Sequence, residues 1–303
     1  MIDFIGDIHG HADKLEILLL TLGYRKIDGV YSHPENTVLF VGDYIDRGPK
    51  IRETIQIVKA MVESKNAIAL MGNHEYNALC FHAKDPKGGH LREHSIKNIM
   101  QHYETLQQYR YFKEEFEEML EWFKTLPLYY EKDNFKAVHA CWDNKNIEFL
   151  RKTLKKDRLD DELLRKSVVK GTRLNEAIDQ TLKGKEIKIP DGIPFYDKDG
   201  NQRTEMRIKW WEDISKMTYK SISIPPMEIL PEQTIMDSKL NTRDFYREDD
   251  KNVFFGHYWL QGEPSLYKDN ICCLDYSVAK EGKLVAYRLN GESVLENGNL
   301  IYV

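Results

Sequence analysis

Apolar positions in the N-terminal part of the chain alternate between short unbroken runs and helical spacings. Ile2-Asp3-Phe4-Ile5 reads as a strand, after which Leu15, Leu18, Leu19 and Leu22 recur at helical spacing up to Gly23. Thr37-Val38-Leu39-Phe40-Val41 reads as a second, buried strand, followed by a helix carrying Ile51, Ile55, Val58 and Val62. Ala67-Ile68-Ala69-Leu70-Met71 reads as a third, with another helix beginning near His74. Strand–helix–strand order with crossovers of this length predicts a mostly parallel sheet covered by helices.

Residues 101–124 predict one long amphipathic helix. Phe112, Phe116, Met119, Leu120 and Phe123 form its apolar stripe, and Glu114, Glu117, Glu118 and Glu121 lie on a solvated face. Strands resume at Leu128–Tyr130, Phe135–His139, Val253–Phe255, Ile271–Leu274 and Leu284–Leu289. Turns at Lys132-Asp133-Asn134 and Lys280-Glu281-Gly282 suggest hairpin links, so the sheet is expected to gain antiparallel pairs in the second half. Residues 145–250 hold a helical segment from Arg151 to Lys170, Gly- and Pro-punctuated sequence from Gly184 to Gly200, and a rigid Pro225-Pro226 and Pro231 loop. No polar linker isolates this stretch. It reads as an insertion or cap packed on a single domain spanning 1–303.

Composition narrows the class. The 303 residues carry 44 Lys+Arg against 49 Asp+Glu, a net charge of −5, so no global basic field draws nucleic acid non-specifically. No apolar run approaches the roughly 20 residues that cross a bilayer. The first residues lack the basic start and apolar stretch of a signal peptide. Cys80, Cys141, Cys272 and Cys273 do not make a disulfide framework in a chain this long and read as small buried hydrophobes. The expectation is a cytoplasmic protein with no membrane and no sequence-specific nucleic-acid partner; its oligomeric state stays open.

Five short segments then concentrate metal-binding residue types directly after predicted strands: Gly6-Asp7-Ile8-His9-Gly10, Gly42-Asp43-Tyr44-Ile45-Asp46-Arg47-Gly48, Gly72-Asn73-His74-Glu75, Val138-His139-Ala140 and Gly256-His257-Tyr258. In an open α/β sheet ligands gather at the carboxyl ends of strands, so these tips can converge. A Gly precedes the Asp, Asn or His in four of the five, allowing a sharp turn and close approach to an ion. Asp7 and His9, two apart, leave the same face of an extended segment. The donors are all N or O, which favours Mn²⁺, Fe or Zn²⁺ over an all-oxygen Ca²⁺ site.

This order of motifs resembles the calcineurin-like metallophosphoesterases, in particular their phosphoprotein phosphatase branch. The resemblance implies an α/β (in part α+β) four-layer αββα sandwich and a hydrolase holding two divalent metal ions, with Mn the first choice and Fe or Zn the others. It implies that Asp7, His9 and a bridging Asp43 bind one ion, while Asp43, Asn73, His139 and His257 bind the second. A shared carboxylate holds such ions about 3.5–4 Å apart and lowers the pKa of a bridging water, giving a hydroxide for attack on phosphorus. His74 is then the general acid, oriented by Asp46, and Arg47 is a fork of donors to phosphate. A second phosphate-binding Arg is expected from 145–250, with Arg173, Arg203 and Arg207 as candidates. Trp210 and Trp211, just after Arg207, read more readily as core anchors than as a stacking platform for a nucleobase.

The chain departs from protein Ser/Thr phosphatases in reading His139-Ala140-Cys141-Trp142 where they carry HGG. Its Phe255–Trp259 and Cys273-Leu274-Asp275 segments are similar to bacterial diadenosine tetraphosphate hydrolases, which usually have GNHD where this chain has GNHE. The expected activity is hydrolysis of phosphomonoesters on a phosphorylated substrate, of the Ser/Thr protein phosphatase type. The alternatives are bis(5'-nucleosyl)-tetraphosphatase-type hydrolysis of nucleoside polyphosphates and a non-catalytic scaffold, the last disfavoured by the intact ligand set.

Overall fold

The structure is a computed structural model that describes residues 1–190, 193–196, 202–235 and 245–303. Two sheets face each other. In the first, Ile2–Ile5, Thr37–Phe40 and Ala67–Ala69 run parallel, and Lys283–Leu289 adds antiparallel to Ile2–Ile5, flanked by Asp275–Tyr276 and Leu300–Tyr302. In the second, Phe135–Val138, Asn252–Phe255 and Ile271–Cys273 run parallel, with Tyr129–Glu131 antiparallel at the edge.

Side-chain alternation builds the sandwich. Phe4, Leu39, Val285 and Tyr287 of the first sheet meet Phe135, Ala137, Phe254 and Cys272 of the second in one buried layer. Its centre is Phe4, stacked on Phe254 at 3.7 Å and edge-on to Phe135 at 5.0 Å. The next residues along these strands, Ile5, Phe40, Val138 and Phe255, turn outward to a second core that includes Leu15, Leu18, Ile55 and Val58 of the helices Ala12–Thr21 and Ile51–Glu63. This is the mixed α/β sandwich expected of the motifs. Among the described residues no helix is long and apolar enough to cross a membrane.

Local expectations needed four corrections. The helix expected over 101–124 is two, Ile96–Tyr109 and Lys113–Phe123. Neither Gly nor Pro breaks it; the chain bends so that His102, Thr105 and Tyr109 bury on one neighbour and Met119, Trp122 and Phe123 on another. The four predicted Glu residues do face solvent, but Phe112 is 41% exposed and marks the N-terminus of the second helix. The Arg151–Lys170 segment is likewise interrupted, between Asn144–Thr153 and Asp161–Ser167. Both predicted hairpin links pair antiparallel, yet the strands at 252–255 and 271–273 return parallel. Finally, a ribbon Arg25–Ile27/Val30–Ser32 went unread, although Asp28 and Gly29 at its tip both have positive φ, the signature of a two-residue hairpin turn.

Within 145–250, residues 191–192, 197–201 (with Gly200) and 236–244 lie outside the described residues, as does the Arg203 side chain. The remainder has a small core of its own around Ile187, Met206, Ile208 and Ile222. Trp210 and Trp211 bury in the main core, Trp210 donating Nε1–H to the Ala140 carbonyl at 3.0 Å.

Phe254 fills the space between the sheets with no exposure. Phe254→Ala should cost about 3–5 kcal/mol in urea or thermal denaturation, whereas Tyr111→Ala, on an 80% exposed side chain, should change stability by less than about 0.5 kcal/mol.

Candidate metal centre

The predicted residues sit where parallel strands end. Asp7 and His9 follow Ile2–Ile5, Asp43 follows Thr37–Phe40, and Asn73 and His74 open the helix Asn73–His82 just past Ala67–Ala69. His139 and His257 follow Phe135–Val138 and Asn252–Phe255. All seven are buried. The loops are bent in ways that ordinary side chains resist: His9, Asp43, Asp46, Arg47 and His257 have φ between 46° and 75°, in the left-handed region.

Glu75 holds that bend. One carboxylate oxygen accepts the amides of Asp43 and Gly72, each at 2.9 Å, and the other accepts the amide of Tyr44 at 2.8 Å. The Asp43 loop is thereby tied to the start of the helix that carries Asn73 and His74. Gly72 permits the approach, because a Cβ there would stand 2.2 Å from Asp43 Oδ1.

The donor atoms converge without hydrogens to share. His139 Nδ1 lies 2.9 Å from the Val41 carbonyl, and a carbonyl can only accept, so Nδ1 carries the proton. In neutral His139, Nε2 then presents a lone pair, yet Asn73 Oδ1 lies 3.1 Å from it and Asp43 Oδ1 3.4 Å. His9 repeats the arrangement: Nδ1 donates to the Ile45 carbonyl at 3.0 Å, and Nε2 is buried 3.6 Å from Asp43 Oδ2. Among the described residues, neither His9 Nε2 nor the buried His257 Nε2 has a hydrogen-bond partner. Two clusters of ligand atoms result, His9–Asp43–His74 and Asp43–His139–His257, sharing Asp43. Lone pairs crowded this way need a cation or a proton between them.

The charges agree. Burial, then the neighbouring Asp275 and Asp43 carboxylates, push Asp7 well above its ordinary range; burial, then Asp43, pushes Glu75 up to about 7. Burial and the adjacent His74 lower His9 to about 3, leaving it a neutral imidazole. Burial would raise Asp43 too, but His139 and His74 outweigh it and hold Asp43 well below its usual value. His9 and His257 are neutral imidazoles with free lone pairs, whereas burial at His139 and His74 is outweighed by Asp43, which raises both; a divalent cation would stand in for the protons that Asp43 otherwise attracts to them.

A model of the calcineurin-like phosphoesterase family matches residues 1–258. The chain belongs to that family. It is 24% identical over 301 residues to a symmetrical bis(5'-nucleosyl)-tetraphosphatase of Neisseria meningitidis, covering 96% of this chain and 93% of that protein. It is 46% identical over 74 residues to the asymmetrical bis(5'-nucleosyl)-tetraphosphatase PrpE of Oceanobacillus iheyensis, a match that takes in 24% of this chain and only 30% of that relative's length. In fold it is similar to a protein serine/threonine phosphatase from Saccharomyces cerevisiae, with 16% identity, 100% of this chain and 78% of that one covered, and a TM-score of 0.53.

Around this candidate centre, the other expected residues divide. Asp7 joins neither cluster of ligand atoms; its carboxylate accepts the His257 amide, at 3.0 Å to the nearer oxygen. A Cβ at Gly256 would stand 1.9 Å from Asp7, so that glycine too makes room. His74 Nδ1 donates to Asp46 Oδ2 at 2.5 Å. The Arg47 guanidinium lies over the Trp259 ring, 4.2 Å from its centroid, with Nε buried and unpartnered. Arg207, from the inserted stretch, has its Nε 3.7 Å from Glu186 Oε1, and after burial its charge is the next influence lowering His257. Arg173 is not brought there. Its guanidinium donates to Asn146 Oδ1 at 2.7 Å and lies over Phe149, pinning two helices together. Cys141 and the other cysteines are buried free thiols.

Three participants escaped the sequence reading. Asp275 accepts the amides of Trp259 at 2.8 Å and Ser277 at 3.0 Å, fixing the loop after His257. His102 and Thr105 both donate to Asp46. Their only signal in the sequence is a polar pair three apart on the buried face of a helix.

Glu75→Gln swaps an acceptor oxygen for an NH₂ that faces backbone amides. Each charged hydrogen bond lost should cost about 1.5–3 kcal/mol, and the Tm gain of the wild type on adding Mn²⁺ should shrink; scanning calorimetry with and without Mn²⁺ checks both.

Proposed function

We propose that the protein is a hydrolase that cleaves phosphate monoesters at a two-cation centre, with Asp7, His9 and Asp43 on one ion and Asp43, Asn73, His139 and His257 on the other. The supporting observation is the convergence of Asn73 Oδ1, at 3.1 Å, and Asp43 Oδ1, at 3.4 Å, on His139 Nε2, whose Nδ1–H is already committed to the Val41 carbonyl. Bound there, the ions would supply an activated water and offset charge on the phosphoryl oxygens. Manganese is the first choice for this N/O donor set, with iron and zinc as the others.

The chain's own groups do the rest. His74, its Nδ1–H held by Asp46, offers Nε2 to protonate the leaving oxygen. Nε2 lies 3.9 Å from Asp43 Oδ2, so the acid stands at the rim of the ion site. Arg47 and Arg207 are the residues proposed to bind phosphoryl oxygens bidentately. The substrate class that the resemblance implies is a phosphoserine or phosphothreonine monoester. A second reading, nucleoside polyphosphates, is favoured by half-buried Trp259, which has Arg47 at 4.2 Å and Lys280 at 4.6 Å from its ring, and by what the two bacterial relatives are named for.

Phosphate release by Mn²⁺-loaded protein from p-nitrophenyl phosphate, a phosphopeptide and diadenosine tetraphosphate separates these; a nucleotide rate far above the others selects the second reading. Asp43→Asn should abolish turnover and metal loading together. His74→Asn should slow turnover by about 10²–10⁴-fold, most for poor leaving groups, with metal content unchanged. Loss of metal in His74→Asn would instead make His74 a ligand.

A further inference from the structure

The acid's partner is itself held from behind. Asp46 Oδ2 faces His74, while Oδ1 accepts Nδ1–H of His102 at 2.8 Å and the Thr105 hydroxyl at 2.6 Å; Thr105 Oγ1 in turn accepts the Asp46 amide at 3.1 Å. Both residues come from the helix Ile96–Tyr109, and both are buried. Because Asp46 has a left-handed φ of 67°, its backbone does not set the carboxylate plane in an ordinary way. Rotation about its last side-chain bond moves both oxygens together, so swinging Oδ2 away from His74 would also break the contacts on Oδ1.

The donor to Asp46 also follows from geometry. A carboxylate only accepts, so His102 donates Nδ1–H to Asp46. Its Nε2 lies 3.2 Å from His82 Nε2, and a single proton between the two nitrogens joins the rings. A chain of four groups, His82, His102, Asp46 and His74, is therefore joined by hydrogen bonds. The Phe81 ring lies 5.4 Å from His102, and the neighbouring Arg92 guanidinium is occupied by Asn77 and Gln101. Burial would raise Asp46, but the bonds from His102 and His74 more than offset this and keep it charged.

We propose that His102, backed by His82 and Thr105, is a positioning residue for the proposed phosphoester cleavage: it fixes the Asp46 carboxylate and so aims the His74 proton at the leaving oxygen. The inference rests on the reading of His74 as the general acid. Its effect is confined to substrates that need a proton on departure. Supporting groups of this kind are worth about 10–100-fold in activity.

The test measures kcat for p-nitrophenyl phosphate and for alkyl phosphates with the Mn²⁺-loaded full chain, as wild type, His102→Ala, His102→Asn, Thr105→Val and His74→Asn. His102→Ala should lose about 10–100-fold on alkyl phosphates and little on p-nitrophenyl phosphate, with unchanged metal content. His102→Asn, whose amide nitrogen can stand where Nδ1 stood, should recover most of the loss. Thr105→Val frees the same oxygen and should give the same leaving-group signature even where His102→Ala folds poorly. Combined with His74→Asn, His102→Ala should add nothing. An equal loss on all substrates, or His102→Asn no better than His102→Ala while His74→Asn keeps its leaving-group dependence, overturns the role. If His74→Asn shows no such dependence, the acid assignment itself fails and this inference falls with it.

Discussion

Asp43 is the constraint around which the centre is arranged. A buried carboxylate is costly unless positive charge or hydrogen-bond donors surround it. Here His9, His74 and His139 each place a ring nitrogen within 3.9 Å of its oxygens. Two of those imidazoles have their other nitrogen committed to a backbone carbonyl, so their inward atoms are lone pairs in the neutral form. Such a cluster is balanced by cations, and the remaining loops are shaped to keep its members in place.

The shaping is done by backbone as much as by side chains. Strained residues at the strand ends gather the ligands, and Glu75 neutralises the amides those bends expose. Strain of about 1–3 kcal/mol per such residue persists only where neighbours over-determine it, and the sandwich beneath supplies that rigidity. Stacking of Phe4 on Phe254 locks the two sheets whose ends carry His9 and His257, so ligands from opposite ends of the chain meet in one place.

The inserted stretch brings its own contribution through anchoring. Trp210 and Trp211 bind it to the outer face of the second sheet around Phe255. Arg207, three residues before that anchor, adds its charge to the burial that lowers His257. The aromatic pair thus serves position, and the free aromatic surface beside the centre belongs to Trp259.

The fold class and the candidate ligand set were legible because each motif joins a strand signal directly to its chemistry: GDIHG follows Ile2–Ile5, and GNHE opens a helix right after Ala67–Ala69. Period-two and 3.6-residue patterns survive in local sequence, and so do glycines that must yield space. Other features depend on partners distant in sequence. The parallel return of the strand at 252–255, the bend between Tyr109 and Lys113, and the placement of Arg173 on Asn146 all follow from packing that no local pattern records. His102 and Thr105 show the limit most plainly: they meet Asp46 from 56 and 59 residues away, on a helix whose own sequence carries only an amphipathic stripe. Residue types in the motifs limit which side chains could hold a cation. The tertiary structure decided which lone pairs face one another, because orientation of a buried polar group is settled by whatever atom stands opposite it.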